Sequence, residues 1–270
     1  MNLGIILNLT DHLEPEFMKC SDLGFHYCQL NGWNPRLFTD ETARQVKDLS
    51  LKYKVEVTSF WCGWGGPAVW DFVQGPLTLG LVPPAYRQER LQTLKQGADF
   101  STSLGVKNII THAGFIPENL TDPEYLPVLE TLRDLAEYCR MRRLNFLFET
   151  GQETPVVLLR VIEDIGLDNV GVNLDPANLI LYGKGNPVDA LDVIGKYVWD
   201  VHAKDGLYPT SGRSLGQEVP IGQGQVNFPL LLARLKALGY DGMLTIEREI
   251  TGEQQTRDIL AARQYLESLI

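Results

Sequence analysis

Eight short apolar runs alternate along this chain with eight segments of helical period, and few folds accommodate that order. The runs are Leu3 to Leu7, Phe25 to Leu30, Val55 to Phe60, Val106 to Thr111, Leu144 to Phe148, Val170 to Leu174, Tyr197 to Val201 and Gly242 to Ile246. A strand buried on both faces reads this way. The helical segments are Glu14 to Leu23, Thr39 to about Tyr53, Tyr86 to Leu104, Pro123 to Arg143, Thr154 to about Glu163, Pro187 to Ile194, Phe228 to Leu238 and Glu253 to Leu266. Thr39 offers an N-cap, Pro187 sits at a first helical position, and Gly105 and Gly239 close helices. Alternation with short connections means a parallel sheet. Eight units in 270 residues is the size of a closed barrel, so the expectation is an α/β chain forming a single (β/α)8 TIM barrel over residues 1–270. A doubly wound open sheet would usually carry a Gly-rich phosphate fingerprint after its first strand, and Asn8-Leu-Thr-Asp11 does not match one.

Four successive runs end in a donor side chain. The fifth ends in Glu149, the sixth in Asp175, the seventh in His202 and the eighth in Glu247. Active sites of such barrels form at the C-terminal strand ends, so all four would point into one crater. Three carboxylates there would raise one another's pKa and partly neutralise. A divalent ion resolves the conflict, leaving a charge of about −1 that Lys204 or Arg248 could offset. An oxygen-rich set with one imidazole suits Mn2+, Mg2+ or Co2+, with Zn2+ admissible. Taken singly, each residue has a plainer reading: Asp175 before Pro176 could cap a turn, and His202 could be a satisfied core histidine.

Other rim residues are candidate substrate contacts. His112 ends the fourth run, Lys204 and Asp205 follow His202, and Arg248 follows Glu247. Trp61, with Trp64 and Trp70, could wall a sugar face or pack its own loop or a subunit interface. That loop, from Trp61 to about Pro84, is long enough to suggest function. A second polar loop, Gly206 to Gln225, follows the seventh strand, and both are expected to cover the site.

The net charge is −10 and the pI about 4.9, with basic residues scattered apart from Arg140, Arg142 and Arg143. Nucleic-acid and membrane-surface partners, which need larger basic patches, are not expected. Cys20, Cys28, Cys62 and Cys139 form no CxxC pair and read as buried thiols. No secretory leader pattern or membrane-length apolar run is visible, which makes a cytoplasmic protein the expectation. The oligomeric state stays open, a homo-oligomer included.

The segments Phe148-Glu149, Asn173-Leu-Asp175, Val201-His-Ala-Lys-Asp205 and Ile221-Gly-Gln-Gly-Gln-Val-Asn-Phe228 carry a family likeness. With Leu235-Lys-Ala-Leu-Gly-Tyr-Asp-Gly-Met-Leu-Thr-Ile-Glu247, the chain resembles the xylose isomerase-like TIM-barrel superfamily of sugar-phosphate isomerases and epimerases. In its ketose 3-epimerases, Glu, Asp, His and Glu at these places bind one divalent metal, and the two glutamates are the acid–base pair. The resemblance therefore implies Glu149, Asp175, His202 and Glu247 as ligands and Glu149 and Glu247 as catalytic residues. It implies isomerisation or epimerisation of a small sugar or polyol-derived ketone through an enediolate, in carbohydrate metabolism. The Asp175-Pro-Ala-Asn segment lacks the histidine those epimerases carry shortly after this Asp. Four histidines are too few for the trinuclear zinc site of endonuclease IV, and no second carboxylate set matches the two metals of xylose isomerase. An inosose dehydratase-like lyase or a non-catalytic sugar-binding barrel are the alternatives.

Overall fold

A computed structural model describes residues 1–270. Its strands are β1 (Asn2–Asn8), β2 (Tyr27–Gly32), β3 (Glu56–Cys62), β4 (Asn108–Thr111), β5 (Asn145–Glu149), β6 (Val170–Leu174), β7 (Val198–Ala203), β8 (Asp205–Leu207), β9 (Gln217–Val219) and β10 (Met243–Ile246). All but β8 and β9 form one closed parallel barrel in the order β1-β10-β7-β6-β5-β4-β3-β2. Closure pairs Asn2 through Ile5 of β1 with Met243 through Ile246 of β10. The helices are α1 (Glu14–Asp22), α2 (Asp40–Tyr53), α3 (Gly75–Thr78), α4 (Pro84–Leu104), α5 (Tyr125–Met141), α6 (Pro155–Ile165), α7 (Pro176–Leu181), α8 (Pro187–Ile194), α9 (Phe228–Ala237) and α10 (Glu253–Glu267). The expected (β/α)8 barrel is therefore the fold.

Local chemistry sets where the helices begin. Thr39 Oγ1 accepts the Thr42 N–H at 3.1 Å, and Thr154 Oγ1 accepts that of Val157 at 3.3 Å. Asn186 and Asn227 cap α8 and α9 in the same way. Each such cap is worth about 1 kcal/mol. Gly105 and Gly166 end α4 and α6 in the left-handed region, where a Cβ would be strained. The apolar faces of the helices then bury against the outside of the barrel, as Leu132, Leu135 and Cys139 of α5 do. All four cysteines are free and buried, and burial pushes their thiols up.

The structure adds elements the sequence pattern did not mark. The helix α7 follows Asp175 directly, and all six of its residues are buried, so no amphipathic period marks it. The antiparallel pair β8 and β9 has three residues a side, too few for a visible alternation. The second strand starts and ends two residues later than expected, because Asn31 and Gly32 pair with Trp61 and Cys62 of β3. No helix is long and apolar enough to cross a membrane.

One buried arginine organises the long loop between β3 and α4. Arg90 on α4 is 1% exposed. Its guanidinium donates to the carbonyls of Thr78 at 2.8 Å, Gly80 at 2.7 Å, Pro67 at 2.8 Å and Gly65 at 3.2 Å. The Thr78 and Gly80 carbonyls are bonded in the buried part of the loop, where water does not compete. Gly80 completes the fit: at φ +66° a Cβ there would lie 2.1 Å from the Ala113 carbonyl oxygen. Replacing Arg90 with Ala should cost about 3 kcal/mol or more, since several buried acceptors lose a charged donor together. Arg90→Lys should recover only part, because an ammonium cannot reproduce the planar fork. Urea unfolding and protease sensitivity between residues 61 and 84 measure both effects.

Candidate metal centre

Strand geometry delivers the four donors. Glu149 is the last residue of β5, Asp175 follows β6, His202 lies near the end of β7, and Glu247 follows β10. These strands are consecutive around the barrel. One donor atom from each of the four lies within 4.8 Å of the other three. His202 Nδ1 sits centrally, 3.1 Å from Glu149 Oε1, 3.0 Å from Glu247 Oε2 and 4.0 Å from Asp175 Oδ2.

Asp175 fills two of its sequence readings at once. Its Oδ1 accepts the Asn178 N–H at 2.9 Å and so caps α7. Its Oδ2 is buried without a hydrogen-bond partner and faces the other donors, and Glu247 Oε2, although 3.0 Å from His202 Nδ1, receives no well-directed hydrogen bond. Two orphaned carboxylate oxygens beside an imidazole nitrogen fit a divalent cation with mixed oxygen and nitrogen ligands. The residues present are thus consistent with a metal, whose identity they do not select.

Electrostatics inside the cluster are tightly balanced. Burial pushes Glu149 up, but the His112 and His202 rings outweigh it and leave its carboxyl lowered. Glu247 is held well below the usual carboxylate range, because Lys204 and His202 overcome the cost of burial. Asp175 goes the other way: burial raises it well above the usual carboxylate range, Lys204 only partly countering. His202 and Lys204 are both raised despite burial, by Glu149 and Glu247 on the ring and by Glu247, Glu249 and Asp175 on the ammonium. Lys204 Nζ contacts Glu249 Oε1 at 2.6 Å and lies 3.5 Å from Asp175 Oδ2 and from Glu247 Oε2.

Above the donors opens a cavity of about 370 Å3. Trp61 and His112 line it as the sequence suggested. The Trp61 indole N–H donates to Glu149 Oε2, and His112 Nε2 lies 3.5 Å from the same oxygen. Burial lowers the His112 pKa, with Glu149 and Glu247 pulling it the other way. Lys204 reaches the site through its carboxylate partners, without lining the cavity. The expected roof is present in outline. Trp70 from the first long loop and Leu215 from the second both line the cavity, and the Phe72 N–H donates to the Arg213 carbonyl at 3.1 Å.

Two sequence candidates are placed elsewhere. The Asp205 carboxylate is consumed by backbone N–H groups, those of Gly206 (2.9 Å), Gly222 (2.9 Å), Gly224 (3.0 Å) and Val226 (3.0 Å). It ties down the loop around the β8–β9 hairpin and does not line the cavity. Arg248 turns away from the crater to Glu218 at 3.0 Å and Asp258 at 2.8 Å, the direction that strand alternation continued past Ile246 would give it. The same alternation turns Glu249 back toward the cavity, a residue the sequence reading passed over. Asn31, Trp33, Asn178 and Tyr182 also line it unforeseen. Asn178 spans the cluster, its amide donating to Glu149 Oε1 at 3.3 Å and accepting from Lys204 at 3.4 Å.

A closed parallel barrel with acidic and imidazole donors gathered at its C-terminal strand ends is the plan of one large group of enzymes and their relatives. Residues 17–269 match the family described as xylose isomerase-like TIM barrel, and the chain belongs to that family. It is similar to a crystal structure of a xylose isomerase domain protein from Planctomyces limnophilus: 34% identity over 99% of this chain and 96% of that one, with a TM-score of 0.94. An uncharacterised protein of Methanocaldococcus jannaschii is 29% identical over 289 residues, covering 99% of this chain and 90% of that protein. A D-tagatose 3-epimerase-like protein shares the fold, with a TM-score of 0.78 over 100% of this chain and 97% of that one, at 22% identity.

The loop that carries Glu149 onward holds a further buried acid, Glu153, whose two carboxylate oxygens have no side-chain partner. Burial raises its pKa to about 8. The fold therefore favours the neutral form. That contribution is complete below the ordinary glutamate value of about 4.3 and is lost as pH rises toward 8. Glu153→Gln should flatten the decline, gaining a few kcal/mol over wild type at alkaline pH and little near pH 4. Urea unfolding of both proteins across that pH range is the measurement.

Proposed function

We propose that this protein is a divalent-metal-dependent isomerase or epimerase of a small, uncharged sugar or polyol-derived ketone, acting by proton transfer next to the carbonyl. The observation that carries the reading is the convergence of Glu149, Asp175, His202 and Glu247 donor atoms within 4.8 Å, beneath a tryptophan-walled cavity. The epimerase-like neighbour of the same fold supports it. Glu149, Asp175, His202 and Glu247 hold the ion in this reading. When bound, it supplies positive charge that stabilises an enediolate and acidifies the neighbouring C–H.

The protein's own groups do the proton work. Glu149 and Glu247 stand on strands three apart around the barrel, so a substrate carbon between them is open to one carboxylate on each face. Both rest ionised, Glu149 through the histidine rings and Glu247 through Lys204, which keeps them competent as bases. Trp61 and Asn178 fix the orientation of the Glu149 carboxylate. The Trp33, Trp61 and Trp70 faces suit the C–H surface of a sugar and exclude water. Charge argues for a neutral substrate. The two cations at the site are already matched: Lys204 faces Asp175, Glu247 and Glu249, and His202 faces Glu149 and Glu247. A phosphate or carboxylate would find no free counter-charge there.

Glu149→Gln and Glu247→Gln should each cut turnover by about 10²–10⁴-fold, the usual worth of a positioned acid or base. Solvent deuterium exchange into each epimer separately should fail on one face in one variant and on the other face in the second. Metal content is checked in both. A Gln variant that keeps its metal and near wild-type turnover removes that glutamate from the chemistry, and release of water with product would point to a lyase instead.

Chelation should abolish turnover and added Mn2+, Mg2+ or Co2+ restore it. A ketose should be processed in preference to its phosphate ester by at least about tenfold in kcat/KM, one such factor being 1.4 kcal/mol. Paired assays of free and phosphorylated ketoses read this directly, and a preference for the esters overturns the neutral-substrate assignment.

A further inference from the structure

A polar tier lies directly below the metal-site residues, where a barrel interior is ordinarily filled by branched apolar side chains. Gln29, Ser59, Asn173, Asp200 and Thr245 are each no more than 2% exposed. Each stands two residues before a residue of the upper tier, namely Asn31, Trp61, Asp175, His202 and Glu247. Residues two apart in a strand share a face, so the lower five point into the barrel beneath the upper five. Buried polar side chains cost free energy unless they are partnered. Their presence here calls for a use.

Gln29 shows that use most clearly. Gln29 and Ser59 are register partners on β2 and β3. The Gln29 amide Nε2 donates to Ser59 Oγ at 3.1 Å, which turns its Oε1 toward His202. That oxygen lies 2.8 Å from His202 Nε2. A carbonyl oxygen only accepts, so the Nε2 proton is the one that fits this contact. The proton then occupies the ring nitrogen that points down into the barrel. Nδ1, which faces Glu149, Asp175 and Glu247, is the nitrogen left to supply a lone pair. A flipped amide would bring its NH2 against Nε2 and favour the proton on Nδ1, blocking that donor.

We infer that Gln29 is a positioning residue of the metal centre: by accepting the Nε2 proton, it holds His202 in the one tautomer whose Nδ1 can ligate a cation. The inference rests on the metal-binding reading of the proposed function. Gln29 touches neither the donor atoms' meeting point nor the cavity. Its effect passes wholly through the imidazole, as partners behind a ligating histidine generally act.

The experiment compares full-length wild type with Gln29→Met, a substitution close in length that removes the acceptor. Nitrogen-15 NMR of the histidine rings is recorded on metal-free and Zn2+-loaded protein, and Co2+ affinity is titrated for both proteins. In wild type, Nε2 should be protonated in both states, with a proton that exchanges slowly. In Gln29→Met that proton should exchange freely, and Co2+ affinity should fall about 10–100-fold. Equal Co2+ affinity in a folded Gln29→Met protein overturns the inference, as does an unprotonated Nε2 in wild type. Absence of Co2+ uptake by wild type would sink the metal-binding reading itself. In that case, and equally if Gln29→Met does not fold, metal-free wild type brought to a pH at which the ring gives up one proton decides: Nε2 keeps its proton if Gln29 sets the tautomer, and loss of the Nε2 proton instead of the Nδ1 proton overturns the inference.

Discussion

Repulsion among Glu149, Asp175 and Glu247 is the constraint around which the mouth of this barrel is built. Each like-charged pair some 4 Å apart costs about 4 kcal/mol at the effective dielectric of a protein near its surface. The fold answers with two cations on neighbouring positions of one strand face, His202 and Lys204, and with a raised pKa on Asp175. That arrangement still leaves Asp175 Oδ2 and Glu247 Oε2 without a well-directed hydrogen bond. A divalent cation suits the same donors better, because it takes lone pairs where the resting cluster has only protons to share.

The large-scale fold was legible because a parallel barrel writes itself twice into a sequence. Its strands are continuous apolar runs, and its helices carry a strong period with caps such as Thr39 and Thr154. The convergence of the four donors was legible for a related reason: a charged residue ending a doubly buried strand has one place to go. What could not be read was anything set by contacts across the barrel. Asn178 is an unremarkable residue in a buried helix until Glu149 and Lys204 are placed either side of it. Gln29 looks like an interruption of a strand until Ser59 and His202 meet it.

Asp205 and Arg248 illustrate the opposite difficulty. Both are charged residues adjacent to site residues in the chain, and proximity in sequence made them candidates. In three dimensions, a one-residue step along a strand reverses the direction of the side chain. Arg248 is accordingly spent on Glu218 and Asp258, while Glu249, one residue further, returns to the cavity. Asp205 turns its carboxylate into an anchor for backbone N–H groups, which organises the segment from Gly222 to Val226 that follows β9.

The hydrogen bond from Phe72 to the Arg213 carbonyl joins two loops that leave different strands of the barrel. Arg90 fixes one of them from α4, and Asp205 fixes the other from below. The wall of the cavity therefore belongs to neither loop alone. Changes in the two segments should behave as neighbours do, with non-additive effects on what the cavity accepts, although the residues are far apart in the chain. A lineage can then alter ligand preference through paired loop changes, while the strand ends and their chemistry stay as they are.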